Sequence, residues 1–165
     1  MTIKIHDLGD TSVCLDEDIA QRIVQTLKDT QAYAPTHLYR GITADPAILK
    51  RIQIVGTDRK KKNLADSMMV AHDRLKEATS HVRQHEAIRE GKIRADPRVL
   101  WAAPESELVE VITSYALPDP HRPDTFSLVL VYRSKFLREI EEEEDLYRFK
   151  KGIKPRDALV AGFRF

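Results

Sequence analysis

The apolar positions of this chain change period several times, and each change marks an element. Leu15, Ile19, Ile23, Val24 and Leu27 recur three and four residues apart, behind an acidic start at Asp16, Glu17 and Asp18. This spacing predicts an amphipathic helix from about 16 to 29 whose carboxylates complement the helix dipole. Ala34-Pro35-Thr36 breaks it. From His37 to Ile42 the pattern is that of a strand, with Leu38, Arg40 and Ile42 on one face and Tyr39 and Gly41 on the other. Arg40 therefore points where an apolar side chain is expected; if buried there it requires an anion, either a carboxylate of the protein or a phosphate, and the alternative is an ordinary edge strand with a solvated arginine. Gly41 lets another backbone or a ligand come close. Asp45-Pro46 reads as an N-cap followed by proline at the first helical position, which predicts a short helix from Pro46 to about Arg51. Gln53-Ile54-Val55-Gly56 is expected either to add a strand or to pack, and the polar run from Thr57 to Lys62 reads as a solvated loop.

From Asp66 to Glu90 there is neither Pro nor Gly, and Met68, Ala71, Leu75, Ala78 and Val82 step by three and four, predicting the longest helix. Gly91 ends it and Asp96-Pro97 turns the chain. Val99 to Ala103 reads as one buried strand closed by Pro104. Glu105 to Tyr115 is predicted helical, with Leu108, Val109, Val111 and Ile112 inward. After a loop with three prolines comes Phe126 to Tyr132, the most strand-like segment. An acid run from Glu139 to Asp145 precedes an alternating segment from Leu146 to Phe149. Gly152-Ile153-Lys154-Pro155 turns, and Leu159, Ala161, Phe163 and Phe165 are expected to line one face of a final strand. The last strands are joined too tightly for helical crossovers. The expected class is therefore α+β, with a mixed, largely antiparallel sheet or sheets, an N-terminal helix and two further amphipathic helices.

The length of 165 residues suits a single domain over 1–165, an N-terminal helical segment over 1–35 leading into a body over 36–165. With 27 basic against 26 acidic residues, whole-molecule charge gives no reason to bind nucleic acid or membrane. Local patches are a separate matter, and Arg59, Lys60, Lys61 and Lys62 are the candidate for a weak nucleic-acid contact. One cysteine, Cys14, excludes an intramolecular disulfide. The first ten residues lack the apolar run of a signal peptide, and no stretch approaches a membrane span. These features fit a cytoplasmic protein, or an effector delivered without a cleavable signal.

Candidate chemistry is concentrated in two places. There is no glycine-rich phosphate loop, no Gly-x-Ser-x-Gly elbow and no Cys-x-x-Cys pair, which argues against common nucleotide hydrolysis, esterase chemistry and structural zinc. His81 and His85 stand four apart on the predicted long helix but have no third ligand nearby in sequence, so no metal site is assigned. The two places that remain are Arg40 and the run Glu141-Glu142-Glu143-Glu144-Asp145, which stands directly before a strand. A carboxylate fixed there would stabilise an oxocarbenium-like transition state, and the arginine would clamp a phosphate.

Three separated segments carrying these residues resemble the ADP-ribosyltransferase superfamily. Leu38-Tyr39-Arg40-Gly41 is similar to the Tyr-Arg-Gly strand of its arginine-type branch. Val99-Leu100-Trp101-Ala102-Ala103-Pro104, with the helix closing in Thr113-Ser114-Tyr115-Ala116, resembles the middle strand and the helix that follows it. Glu142-Glu143-Glu144 with Gly152-Ile153-Lys154-Pro155 and the last strand resembles the Glu-x-Glu turn and what comes after it. The chain departs from the family at the middle strand, which offers Trp101, Ala102 and Ala103 in place of the usual Ser or Thr. His37 is a second departure, since another branch places a histidine on the equivalent strand.

The resemblance implies a divergent NAD-dependent ADP-ribosyltransferase, a glycosyltransferase of toxin-like type that binds NAD in a cleft between sheets. It implies Arg40 with Tyr39, Gly41 and Trp101 as NAD-binding residues, Glu144 as the catalytic residue and Glu142 as its companion, although the run also contains the overlapping pair Glu141 and Glu143. NAD is then the substrate, and ADP-ribose passes to a macromolecule or to water. The alternatives are a non-catalytic module that binds nucleic acid or protein, or a degenerate relative without NAD binding.

Overall fold

Each strand and helix forms where the local pattern of burial and turn chemistry permits, and the computed structural model describes residues 3–55, 99–140 and 146–165. The central strand β2, His37–Ala44, is buried along its whole length. It pairs antiparallel with β5, Phe126–Arg133, over eight registered positions from His37 opposite Arg133 to Ala44 opposite Phe126. Around this pair a mixed five-stranded sheet is built in the order β1-β8-β5-β2-β4. Its other members are β1, Ile5–Asp7, β4, Ala103–Pro104, and β8, Leu159–Arg164. A second, three-stranded antiparallel sheet has the order β3-β7-β6, with β3 at Val99–Trp101, β6 at Leu137–Glu139 and β7 at Leu146–Phe149. The class is α+β, as the element order predicts.

Strand β1 is an element the sequence reading did not assign. It pairs parallel with β8, Ile5 opposite Gly162 and Asp7 opposite Arg164. The run 99–104 is two strands rather than one, because the chain leaves the second sheet after Trp101 and joins the first at Ala103. Ala102 is the crossing point.

Two of the described helices pack on one face of the larger sheet, and the other two contribute Ile52 and Ala158 to the core on the other face. The N-terminal helix α1, Asp16–Asp29, keeps the predicted bounds and buries Ile19, Ala20, Ile23 and Leu27. Leu15 serves as its N-cap and is exposed, because the helical stripe begins one turn later. A 3-10 turn, Glu105–Glu107, leads into the second amphipathic helix, which buries Leu108, Val111, Ile112 and Tyr115. Val109, expected inward, is exposed on its outer side. The short helix α2, Pro46–Val55, is capped as its Asp-Pro start predicts, the Ile48 N–H donating to Asp45 Oδ1 at 2.8 Å. It absorbs Gln53, Ile54 and Val55, so they form no strand. We number the helix at Leu108–Tyr115 α3 and the single turn at Pro155–Ala158 α4. The expected long helix over 66–90, with His81 and His85, lies outside the described residues, as does the basic run from Arg59 to Lys62.

Two apolar cores result, one on each face of the larger sheet. The first joins α1 and α3 to Tyr39, Val129, Val131, Ala161 and Phe163, with Trp101 stacked on Tyr115 at a centroid distance of 3.6 Å. The second fills the angle between the sheets with Leu38, Ile42, Leu128, Leu130, Leu100, Ala102, Leu137 and Phe149. Leu159 belongs to the second core and not beside Ala161 and Phe163 as expected. The register shifts between Val131 and Tyr132, whose partners are Ala161 and Leu159, so Val160 is passed over and the alternation restarts. No helix among the described residues is long and apolar enough to cross a membrane.

Candidate functional site

Arg40 occupies the middle of β2 on the face that carries Leu38 and Ile42, both members of the second core. Its cross-strand partner is Leu130. On the other side of β2 the pairing runs Leu38 with Pro104 and Tyr39 with Ala103, so Arg40 comes next, beside the crossing residue Ala102. The Arg40 backbone thus lies beside the point where the chain passes between the two sheets. The residue is 3% exposed, and no described residue makes a hydrogen bond or ion pair with it. An isolated guanidinium in such a setting is electrostatically costly. Among the described residues no carboxylate offsets that cost.

In the sequence the acid run stands directly before β7, a strand of the second sheet. Its residues Glu142 and Glu144 lie outside the described residues, but the strand they precede does not. Leu146, the first residue of β7, is registered against Trp101, the last residue of β3 before the crossing. Leu146 and Trp101 both belong to the helix-side core, so the start of β7 packs at the edge of that core and not among the side chains around Arg40.

The other three residues of the expected set lie on the opposite face. Tyr39 is fully buried in the core beneath α1 and α3. Trp101 packs there too, against Tyr115. Gly41 serves a backbone rather than a ligand: a Cβ built on it would stand 2.8 Å from both the Ala116 N and the Val111 carbonyl O. These two atoms belong to the end of α3, where the Ala116 N–H donates to the Val111 carbonyl at 3.2 Å. The strand and the helix end can touch only because residue 41 has no side chain. Structure thus buries Arg40 on the face of β2 that meets the second sheet, and sets Tyr39, Gly41 and Trp101 behind the sheet.

A second polar group, not singled out from the sequence, accompanies Tyr39. The Tyr33 hydroxyl donates to Glu105 Oε2 at 2.8 Å. His37, buried at the start of β2, accepts on Nδ1 from the Ala34 N–H at 3.3 Å. Burial and then the Arg133 charge hold its imidazole below its usual pKa, with Glu105 opposing them. The Tyr39 hydroxyl has no hydrogen-bond partner among the described residues, and burial, then Glu105 and Tyr33, push its ionisation upward. These residues come from the α1–β2 connection, β2 and the 3-10 turn, three segments brought together only by the fold, so their spacing carried no signal. Near them an open groove of about 660 Å³ runs between α1 and the start of α3, lined by Gln21, Arg22, Gln25, Lys28, Glu105 and Leu108 among others. It is on the helix side of the sheet, away from Arg40. Among the described residues no group of His, Cys, Asp and Glu is arranged to hold a metal ion.

No protein-family model matches the chain, and no curated protein or solved structure is significantly similar to it.

Proposed function

We propose that the protein is an ADP-ribosyltransferase-like enzyme that binds NAD at the boundary between its two sheets. The observation that carries the reading is Arg40, a buried arginine without a partner among the described residues, on the face of β2 that meets the second sheet. A pyrophosphate supplies the anion it lacks, and a planar guanidinium can hold two phosphate oxygens at once. The acid run stands in the sequence directly before β7, a strand of the sheet that the Arg40 face meets, which supports the second half of the reading.

In this mechanism Arg40 fixes the dinucleotide through its phosphates. The bond between the ribose anomeric carbon and the nicotinamide nitrogen then breaks, and nicotinamide leaves as a neutral base carrying the bonding electron pair. Glu144 stabilises the positive charge that develops on the ribose, and Glu142 orients the acceptor nucleophile that closes the new glycosidic bond. The acceptor is a macromolecule or water, and its proton passes to a carboxylate or to solvent. The reading calls for two sheets that meet beside the site, and the division of the chain between two sheets at Ala102 supports that part of it.

Incubation of the protein with NAD, followed by measurement of nicotinamide release, tests the reading. Arg40→Ala is expected to weaken NAD binding, and Glu144→Gln to lower turnover about a hundredfold or more with binding retained. Equal turnover in all three proteins removes the site. The same measurements on Tyr39→Phe are expected to show no change, since its hydroxyl lies on the far side of the sheet.

A further inference from the structure

We propose that the protein carries a surface that binds the phosphate backbone of nucleic acid, formed where β5, β7 and α4 end together. Three segments meet there. Arg133 closes β5, and a 3-10 turn follows at Ser134–Phe136. The chain leaving β7 is tied to that turn, the Lys150 N–H donating to the Phe136 carbonyl at 2.9 Å. It turns again through Lys150 and Ile153, whose N–H donates to the Lys150 carbonyl at 3.0 Å, before entering α4. Arg133 closes the arrangement by donating from its guanidinium to the Asp157 carbonyl at 3.2 Å.

The side chains gathered by these bonds are Arg133, Lys135, Lys150, Lys151, Lys154 and Arg156, and all six are exposed. Over 133–136 and 150–158 the only acidic residue is Asp157. The segments thus hold an excess of five positive charges in a chain whose net charge is +1. Charge of one sign has been concentrated here by the fold from separate segments. A solvated face of ordinary composition would mix the signs.

The side-chain types indicate the partner. Four of the six are lysines, mobile point charges suited to phosphates whose position varies, and unsuited to a fixed base edge. The expected partner is therefore a phosphate polymer read without regard to sequence. An anionic membrane is the competing occupant, but stable attachment there adds inserted apolar side chains or a lipid anchor to the basic patch. The large exposed apolar residues among those described, Val13, Leu15, Val109 and Leu117, belong to other segments of the chain. The nearby aromatic, Phe136, is partly buried, with the Lys135 Nζ 4.9 Å from its ring centroid.

The test is fluorescence anisotropy of a labelled mixed-sequence oligonucleotide with the full chain over a series of salt concentrations. The expected affinity falls with salt along a log–log slope of about −3 to −5, from four to six neutralised phosphates. Joint replacement Lys150→Gln, Lys151→Gln and Lys154→Gln is expected to weaken binding at least about tenfold at low salt and to flatten the slope by about two to three. The change leaves every backbone hydrogen bond of the patch intact, and an unaltered thermal melt will show that the fold is kept. A charge-reversal set with Glu at the same positions should abolish binding. The inference is overturned by unchanged affinity in the Gln set, or by loss of binding only when Lys60, Lys61 and Lys62 are replaced. Binding to phosphatidylserine vesicles but not to the oligonucleotide overturns it as well.

Discussion

On the face of β2 that meets α1 and α3, Tyr39 and Gly41 are held by tight packing, with a helix end in contact with the glycine. On the face that meets the second sheet, Arg40 is just as buried, yet no described group satisfies its charge. Adjacent residues of one strand thus serve different ends. The first face gains its stability from apolar area and close backbone approach, and the second keeps a charge out of water at a cost. A strand selected for stability alone would carry an aliphatic residue at position 40. On the helix side the buried Tyr39 hydroxyl also lacks a partner among the described residues, but burying a neutral hydroxyl costs far less than burying a charge.

This contrast can be broken in order of expected effect. Trp101→Ala removes the largest ring from the helix-side core and its stack on Tyr115. It should cost about 3–5 kcal/mol in chemical denaturation. Gly41→Ala places a methyl group against two backbone atoms that have little room to yield. A loss of about 1–3 kcal/mol is expected, with NAD binding of the remaining folded protein retained. Arg40→Met reverses the sign. If the charge is uncompensated, the variant should be more stable than the parent by about 1–3 kcal/mol, while NAD ceases to raise its melting temperature. A less stable Arg40→Met would mean that a carboxylate of the protein already answers the arginine, and the two faces would then be alike.

The smallest effect concerns His37, on the helix-side face. Its folded pKa lies below the ordinary value, so the unfolded chain binds the proton more readily. The His37 contribution to stability is complete above about pH 6.5 and is lost as pH falls toward the folded pKa. Below that it changes no further. Denaturation midpoints measured across this window should decline in the parent and flatten in His37→Gln. An equal slope in the two proteins would assign the decline to other groups.

Much of the framework was legible in local patterns. The acidic start and regular spacing of α1, the Asp45-Pro46 cap of α2 and the β5 strand each depend on residues close in sequence. The face that Arg40 takes was legible for the same reason, since strand alternation sets it, whereas its burial depends on β2 lying between β5 and β4 and not at an edge. What escaped depends on distant partners. Strand β1 has three residues and gains its identity from β8. The break at Ala102 follows from two sheets competing for one segment. Leu159 changed sides because a bulge opposite Tyr132 restarts the alternation. Gly41 was read as open to a backbone or a ligand, and only the position of α3 decides between them. The clustering of Arg133 with the lysines after β7 is likewise a product of tertiary structure.

The pairing of β1 with β8 has a consequence for the order in which the protein is made. Ile5 must wait for Gly162 before its strand has an edge to join, and its Cδ1 lies 2.6 Å from where a Cβ on that glycine would be. A contact across nearly the whole chain forms late, since loop closure opposes it until the intervening structure brings the ends together. During synthesis the N-terminal segment emerges first and finds its place among the last, so a nascent chain halted before β8 would present an unpaired strand to the cell's quality-control machinery.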